Sequence, residues 1–326
     1  MSWFQKIINW FKHLFDWLDQ PPGTPATSPE PVDDMPMEDT PQPEPVPEPE
    51  EPPVVVEPSE EPQVRSPEKK ALLVGVDEYN DPKINLQGCV ADVEQMRDLL
   101  ISKGFSKNKI LILKNQWATK KNILDKLEEM IINSKAGDEL VFHFSGHGSQ
   151  VTDLDGDEGD NLDEILIPHD LSWNGGYISD DDVARIFKKL PDGVFLSMIS
   201  DSCHSGTISR NVNTMVRYIT PPAHILQAIF TTKGLVLNPI GLRTDGGSQR
   251  HVLVTGCKST QTSMSSVINN EWHGVLTYFF TAAAEKGGTW IEVFNEAVKN
   301  IKAHGFEQDP QLTGGDNILN RQVFGG

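Results

Sequence analysis

The chain has 326 residues, 37% of them hydrophobic, and a formal net charge of −19 at pH 7. Residues 21–68 hold sixteen of the 23 prolines and thirteen acidic residues against one basic one, Arg65, so twelve of the nineteen net negative charges belong to this stretch and the rest of the chain is only mildly acidic. Three scattered cysteines (Cys89, Cys203, Cys257) exclude a disulfide framework, no C-x-x-C pair marks structural zinc, and no basic patch marks a nucleic-acid surface.

In chain order, residues 1–20 come first. Apolar side chains at 3, 4, 7, 8, 10, 11, 14, 15, 17 and 18, with Lys6, Asn9, Lys12, His13 and Asp16 between them, predict a helix with a wide apolar face. The polar interruptions exclude a secretory core, and the unbroken apolar run of a spanning helix is missing. Residues 1–18 suit a peripheral membrane surface or a partner protein equally well. Residues 21–68 are too poor in large apolar side chains to offset their ordering entropy and read as a disordered Pro/Glu-rich linker. The folded part is expected over 69–326, in the reducing cytoplasm by its cysteine usage.

Within it, 70–77 (KALLVGVD) reads as a buried strand and 89–105 as a helix stopped at Gly104. Residues 109–115 form a second strand, and 118–137 a helix with Thr119 as N-cap and Gly137 just past its end. Further strands are expected at 139–145, 194–200 and 251–256, and further helices at 180–190, near 272–285 and at 289–303. This alternation predicts an α/β fold, a mostly parallel central sheet with helices on both faces.

Two strands run into small polar residues: 139–145 into Gly146-His147-Gly148-Ser149, and 194–200 into Asp201-Ser202-Cys203-His204-Ser205-Gly206. Ligands of parallel sheets bind beyond the carboxyl ends of the strands, so neighbouring strands would bring His147 and Cys203 face to face. A thiol becomes nucleophilic near neutral pH when a base or positive charge favours its thiolate. The N–H groups of Gly148 and Cys203 could then hold an oxyanion. A single His and a single Cys are more often ordinary loop or core residues; their placement at two strand ends is what favours catalysis.

SGHG followed some fifty residues later by DSCHSG resembles the type I metacaspases and their prokaryotic relatives, caspase-fold cysteine peptidases. KALLVGVDEY, LQGCVADV, GDEGDNLDEILIPHD, ISDDDV, VTGCKSTQTS and GFEQDPQL extend the resemblance over most of 70–326. It implies a caspase-like three-layer sandwich with a p20-like part at 69–206, an irregular loop at 207–250 and a p10-like part at 251–326. It implies a monomer with a His147–Cys203 dyad, in which His204 is not the base; His143, inside its strand, is read as structural.

The resemblance also implies cleavage after Arg or Lys in protein substrates, with Cys89, Asp92, Ser145 and Asp201 lining the pocket. Acidic lining suits a guanidinium, which pairs bidentately with a carboxylate. The structural alternative for Asp201 is a strand-end hydrogen bond to backbone. No cofactor is obligatory. Calcium would fall to Asp163, Asp180 and Asp181, but the family's fourth ligand position holds Arg210, a cation that opposes the metal. The run Asp153-Asp155-Asp157 with Glu164 fits an EF-hand loop only in part and reads more simply as a solvated acidic loop. A surface loop with basic residues is a self-cleavage candidate, giving Arg210, Arg217, Lys233, Arg243 and Arg250. Two other functions compete: a catalytically idle scaffold recruiting partners or membrane through its N-terminal helix, and a related enzyme of different specificity such as asparaginyl cleavage.

Overall fold

The computed structural model describes residues 65–152, 162–204, 214–223, 225, 251–257 and 262–325. The N-terminal amphipathic segment, the linker up to 64, the acidic run 153–161, and Arg210, Lys233, Arg243 and Arg250 lie outside the described residues. The linker boundary moves by four residues. Arg65 reaches the buried carboxylate of Asp138 at 2.5 Å, and the Glu68 N–H donates to the same carboxylate at 2.8 Å, so 65–68 belong to the folded part.

Strands β1 (Lys69–Gly75), β2 (Ile110–Lys114) and β3 (Glu139–Ser145) alternate with helices α1 (Cys89–Ser102) and α2 (Lys120–Ile132). Next come the short strands β4 (Gly148–Thr152), β5 (Leu162–Leu166) and β6 (Ile178–Ser179), helix α3 (Asp180–Phe187) and strand β7 (Phe195–Asp201). Strands β8 (Thr214–Val216), β9 (His251–Thr255), β10 (Met264–Ile268) and β11 (Glu271–Gly274) follow. Helices α4 (Val275–Glu285) and α5 (Trp290–Ala303), strand β12 (Gln311–Thr313) and the short helix α6 (Asp316–Leu319) complete the series.

The six-stranded sheet runs β12-β9-β7-β3-β1-β2, parallel throughout except for β12. Side chains alternate across it at the strand period of two. Leu72 and Val74 of β1 and Phe142 and Phe144 of β3 face one core, packed with Ile123, Leu127 and Ile131 of α2 and Val183 and Ile186 of α3. Ala71, Leu73, Val141 and Ile199 face the other, against Val93 and Met96 of α1, Phe280 of α4 and Trp290 of α5. This is the expected three-layer sandwich. Among the described residues, no helix is long and apolar enough to cross a membrane.

The long elements stand where the apolar periods predict them. Thr119 caps α2 by accepting the Asn122 N–H at 3.2 Å, although α2 stops at Ile132 and Gly137 (φ +92°) instead turns the chain into β3. The differences fall on short strands. Residues 272–274, expected at the start of a helix, belong instead to β11, turned back from β10 by Asn269 and Asn270 with φ of 52° and 69°; this pair of left-handed residues makes a tight hairpin. Part of the segment expected to be irregular, Thr214–Val216, is β8, paired antiparallel to β10. Such short strands form because a neighbour satisfies their backbone, which their own composition does not announce.

Candidate active site

Strands β3 and β7 are adjacent and in register, with Ser145 paired to Asp201. His147 and Cys203 each stand two residues beyond that pair, so the sheet delivers both to one edge. A Cβ on Gly148 would come within 2.3 Å of the Cys203 carbonyl oxygen, so glycine at 148 is what lets the two loops approach.

His147 is oriented by backbone. Its Nε2 lies 2.8 Å from the carbonyl oxygen of Ile84, which can only accept, so Nε2 carries the proton in that bond. In the neutral ring Nδ1 is then the basic atom, and it is buried with no hydrogen-bond partner among the described residues. The His147 N–H donates to the Tyr79 hydroxyl at 2.8 Å, and the two rings lie 5.2 Å apart. His204 is committed elsewhere, with Nδ1 3.2 Å from the Ser149 carbonyl oxygen and Nε2 3.4 Å from Ser202 Oγ. His143 sits inside β3, with Nε2 3.2 Å from Thr277 Oγ1. The Cys257 sulfur lies 3.5 Å from that of Cys203; this contact and burial push the Cys257 thiol well up.

Burial pushes each of His143, His147 and His204 down to about 4, because a water-poor site disfavours the imidazolium; for His147 the backbone carbonyls of Ile84 and Arg217 oppose the shift and the Arg217 cation adds to it. An unfolded imidazole titrates near ~6.5, so between there and about 4 the unfolded chain binds more protons and stability rises with pH. The stability these histidines contribute is therefore complete above the unfolded value and is lost as pH falls toward 4. Thermal melts from pH 7 to 4.5 are expected to show a falling Tm, with a shallower fall in His143→Gln.

The pocket beside His147 and Cys203 is formed by α1, β3, β7 and the β10–β11 hairpin. Asp77, at the end of β1, accepts the N–H groups of Cys89 and Val90 at 2.8 and 3.1 Å, which anchors the first turn of α1 and with it Asp92. Asp92, Asp201, Ser145 and Cys89 are all fully buried. Asp92 accepts the Ser145 hydroxyl at 2.7 Å and the Gly274 N–H at 2.8 Å. Asp201 accepts the Ser263 hydroxyl at 2.6 Å and the Thr277 N–H at 2.8 Å, so it also caps the start of α4. The strand-end role weighed for Asp201 is therefore present alongside its place in the pocket. Gly274 forms one wall, where a Cβ would stand 2.3 Å from Asp201 and 2.5 Å from Asp92.

This pocket is filled by the chain itself. Arg217, expected on a surface loop, is fully buried. Its Nη2 donates to Asp92 at 2.8 Å, and its Nη1 donates to Ser145 Oγ and the Asp201 carbonyl at 2.8 Å each, with the Asp201 carboxylate at 3.3 Å. Its Nε donates to Ser265 Oγ at 3.0 Å. The guanidinium thus bridges two carboxylates and does not fork onto one.

The backbone of Arg217 is as closely held. Its carbonyl oxygen accepts N–H groups from Gly148 at 2.9 Å and Cys203 at 3.3 Å, and its own N–H donates to the Ser263 carbonyl at 3.0 Å. Ahead of it, β8 pairs with β10 (Met264↔Val216); behind it, Tyr218 bridges Gly148 in parallel. Residues 214–219 therefore lie extended through the site, with the Arg217 carbonyl held by two N–H groups, one of them that of Cys203.

The sequence signalled Asp92, Ser145, Asp201, Gly148, His147 and Cys203. It did not single out Ser263, Ser265, Gly274 or the Ile84 carbonyl, since lone serines and backbone oxygens have no sequence signature. Asp163, Asp180 and Asp181 are not gathered into a ligand set: among the described residues no group of three or more His, Cys, Asp or Glu could hold a metal ion. Arg210, at the position that opposes the metal, and the acidic run 153–161 lie outside the described residues, and no step below depends on a metal.

A family model described as "Metacaspase, peptidase C14 domain" matches residues 69–211. Metacaspase-2 of Arabidopsis thaliana is 34% identical over 229 residues, which cover 68% of this chain and 53% of that protein. Metacaspase-1 of Arabidopsis thaliana is 32% identical over 270 residues, 79% of this chain and 71% of that one. Among solved structures, a Geobacter sulfurreducens protein superposes with a TM-score of 0.58 at 24% identity, covering 79% of this chain and 98% of its own. Caspase-1 of Spodoptera frugiperda gives 0.53 at 11% identity, covering 80% and 90%. At these identities the two structures speak for the fold alone.

Proposed function

The chain belongs to the metacaspases, caspase-like cysteine peptidases, and on that premise we propose that it is an endopeptidase cleaving after Arg or Lys through Cys203 and His147, and that its first substrate is its own Arg217–Tyr218 bond. The observation that carries this reading is Arg217: its side chain is paired with Asp92 and Asp201 while its carbonyl oxygen accepts from Gly148 and Cys203.

Neutral His147 takes the Cys203 thiol proton on Nδ1, and the sulfur adds to the carbonyl carbon of the basic residue. The negative oxygen that develops lies where the two N–H groups already converge, the arrangement that stabilises such a charge. Nδ1 then gives its proton to the leaving amine, a thioester remains on Cys203, and water hydrolyses it to the carboxylate and the free thiol. The Ile84 carbonyl does for His147 what a third catalytic residue does elsewhere: it fixes tautomer and ring orientation. Preference for a basic residue would follow from two buried carboxylates, whose negative charge a cation offsets.

Fluorogenic peptides ending in Arg, Lys, Asp or Asn, offered to the full chain and to Cys203→Ala, test the reading. Turnover confined to Arg and Lys, and lost in the variant, is expected. No turnover of either would favour a scaffold whose site is permanently closed by Arg217, and turnover after Asn would favour the asparaginyl alternative.

A further inference from the structure

The bound self-segment continues past the scissile bond, and its path there is specified. Ile219 donates its N–H to the Gly148 carbonyl at 3.1 Å, and its own carbonyl accepts the Ser149 hydroxyl at 2.6 Å. Together with the Gly148 N–H on Arg217, these bonds add residues 217–219 as a short parallel strand along the start of β4. Recognition by strand addition leaves specificity to the pockets that receive alternate side chains.

One such pocket adjoins Ile219. A cavity of about 350 Å³ is bounded by Ile219 together with Tyr79, Ile84, Leu171 and Trp173, with Asp81 also at its wall. The side chains of Ile219, Ile84, Leu171 and Trp173 are partly buried against the core that holds Tyr79. Ile219 borders the space without filling it, so a larger apolar group would fit. The cavity stands apart from the acidic pocket, and it shares Tyr79 and Ile84 with the support of His147.

We propose that this cavity is a leaving-side subsite, taking a large apolar side chain at the second residue after the scissile bond, and that it adds a second requirement to the choice of substrate beyond the basic residue. The proposal rests on the peptidase reading above. Burying an aliphatic or aromatic side chain there, where glycine leaves the cavity empty, is expected to raise kcat/KM about tenfold to a hundredfold. An aspartate facing Asp81 and an apolar wall is expected to do worse than glycine.

Internally quenched peptides of sequence Thr-Met-Val-Arg-Tyr-X-Thr, with X as Ile, Phe, Gly or Asp, test it with the full chain after it has been allowed to self-process. Expected is cleavage after Arg in all four, ranked Phe and Ile above Gly above Asp, with the Ile-to-Gly ratio shrinking at least fivefold in Trp173→Ala. Cleavage of all four at rates within twofold would overturn the subsite while leaving the peptidase intact, and so would an Ile-to-Gly ratio that Trp173→Ala does not change. Failure to cut any of them would instead strike at the peptidase reading.

Discussion

Asp92→Asn is expected to lower kcat/KM for an Arg peptide by about a hundredfold to a thousandfold. Asp92 is fully buried, and its Oδ2 accepts both the guanidinium and the Ser145 hydroxyl. Asparagine keeps the volume and can still accept the Gly274 N–H, but it then turns an amide N–H₂ toward the incoming cation. Removing one partner of a buried pair costs about 3–5 kcal/mol, at roughly 1.4 kcal/mol per tenfold. Asp201 is the poorer probe, since its carboxylate also holds the start of α4 and its loss would register as instability. Burial pushes the Asp92 carboxyl up, with the Arg217 cation opposing. Only the ionised form pairs with the guanidinium, so preference for Arg should weaken on the acid side. Steady-state kinetics across pH on Asp92→Asn and the unmodified chain check both statements; an unchanged Arg preference in the variant would remove Asp92 from the pocket's function.

The second large effect concerns Arg217. Freshly folded chain is expected to hydrolyse Arg peptides only after a lag, and the lag should track the appearance of two fragments, one ending at Arg217 and one beginning at Tyr218. A ligand tethered by its own backbone competes at an effective concentration in about the millimolar range, enough to keep free peptide out. Cutting the bond ends the tether. Arg217→Gln offers the pocket no cation, so it should stay uncut at this position and turn over Arg peptide without a lag. Cys203→Ala should remain intact. Intact mass spectrometry alongside a progress curve reads all three. A chain that turns over peptide while Arg217–Tyr218 stays whole would remove this bond from the mechanism.

Much of this was legible beforehand. The long apolar strands and the helices over them follow from period, and two such strands ending in Gly146-His147-Gly148 and Ser202-Cys203-His204 pointed to one edge of one sheet. The acidic residues of the pocket were nameable through the family resemblance. Arg217 is the instructive case. It was one basic residue among five in a segment read as surface loop, and nothing in its immediate neighbours, Thr-Met-Val before it and Tyr-Ile after, sets it apart. Its burial depends on β10, some fifty residues later, pairing with β8, and on carboxylates from α1 and β7.

By itself the sequence determined the layered α/β framework and the two strand ends that carry sulfur and imidazole, because periodicity and residue type are local properties; the acidic residues of the pocket were named only through the family resemblance. Tertiary structure alone decided that Nε2 of His147 is committed to the Ile84 carbonyl, that the short strands β8, β10 and β11 exist, and that the occupant of the pocket is Arg217. Each of these is fixed by a hydrogen bond or an ion pair between groups far apart in the chain. In the low-dielectric interior such pairs are settled by which partners burial brings together.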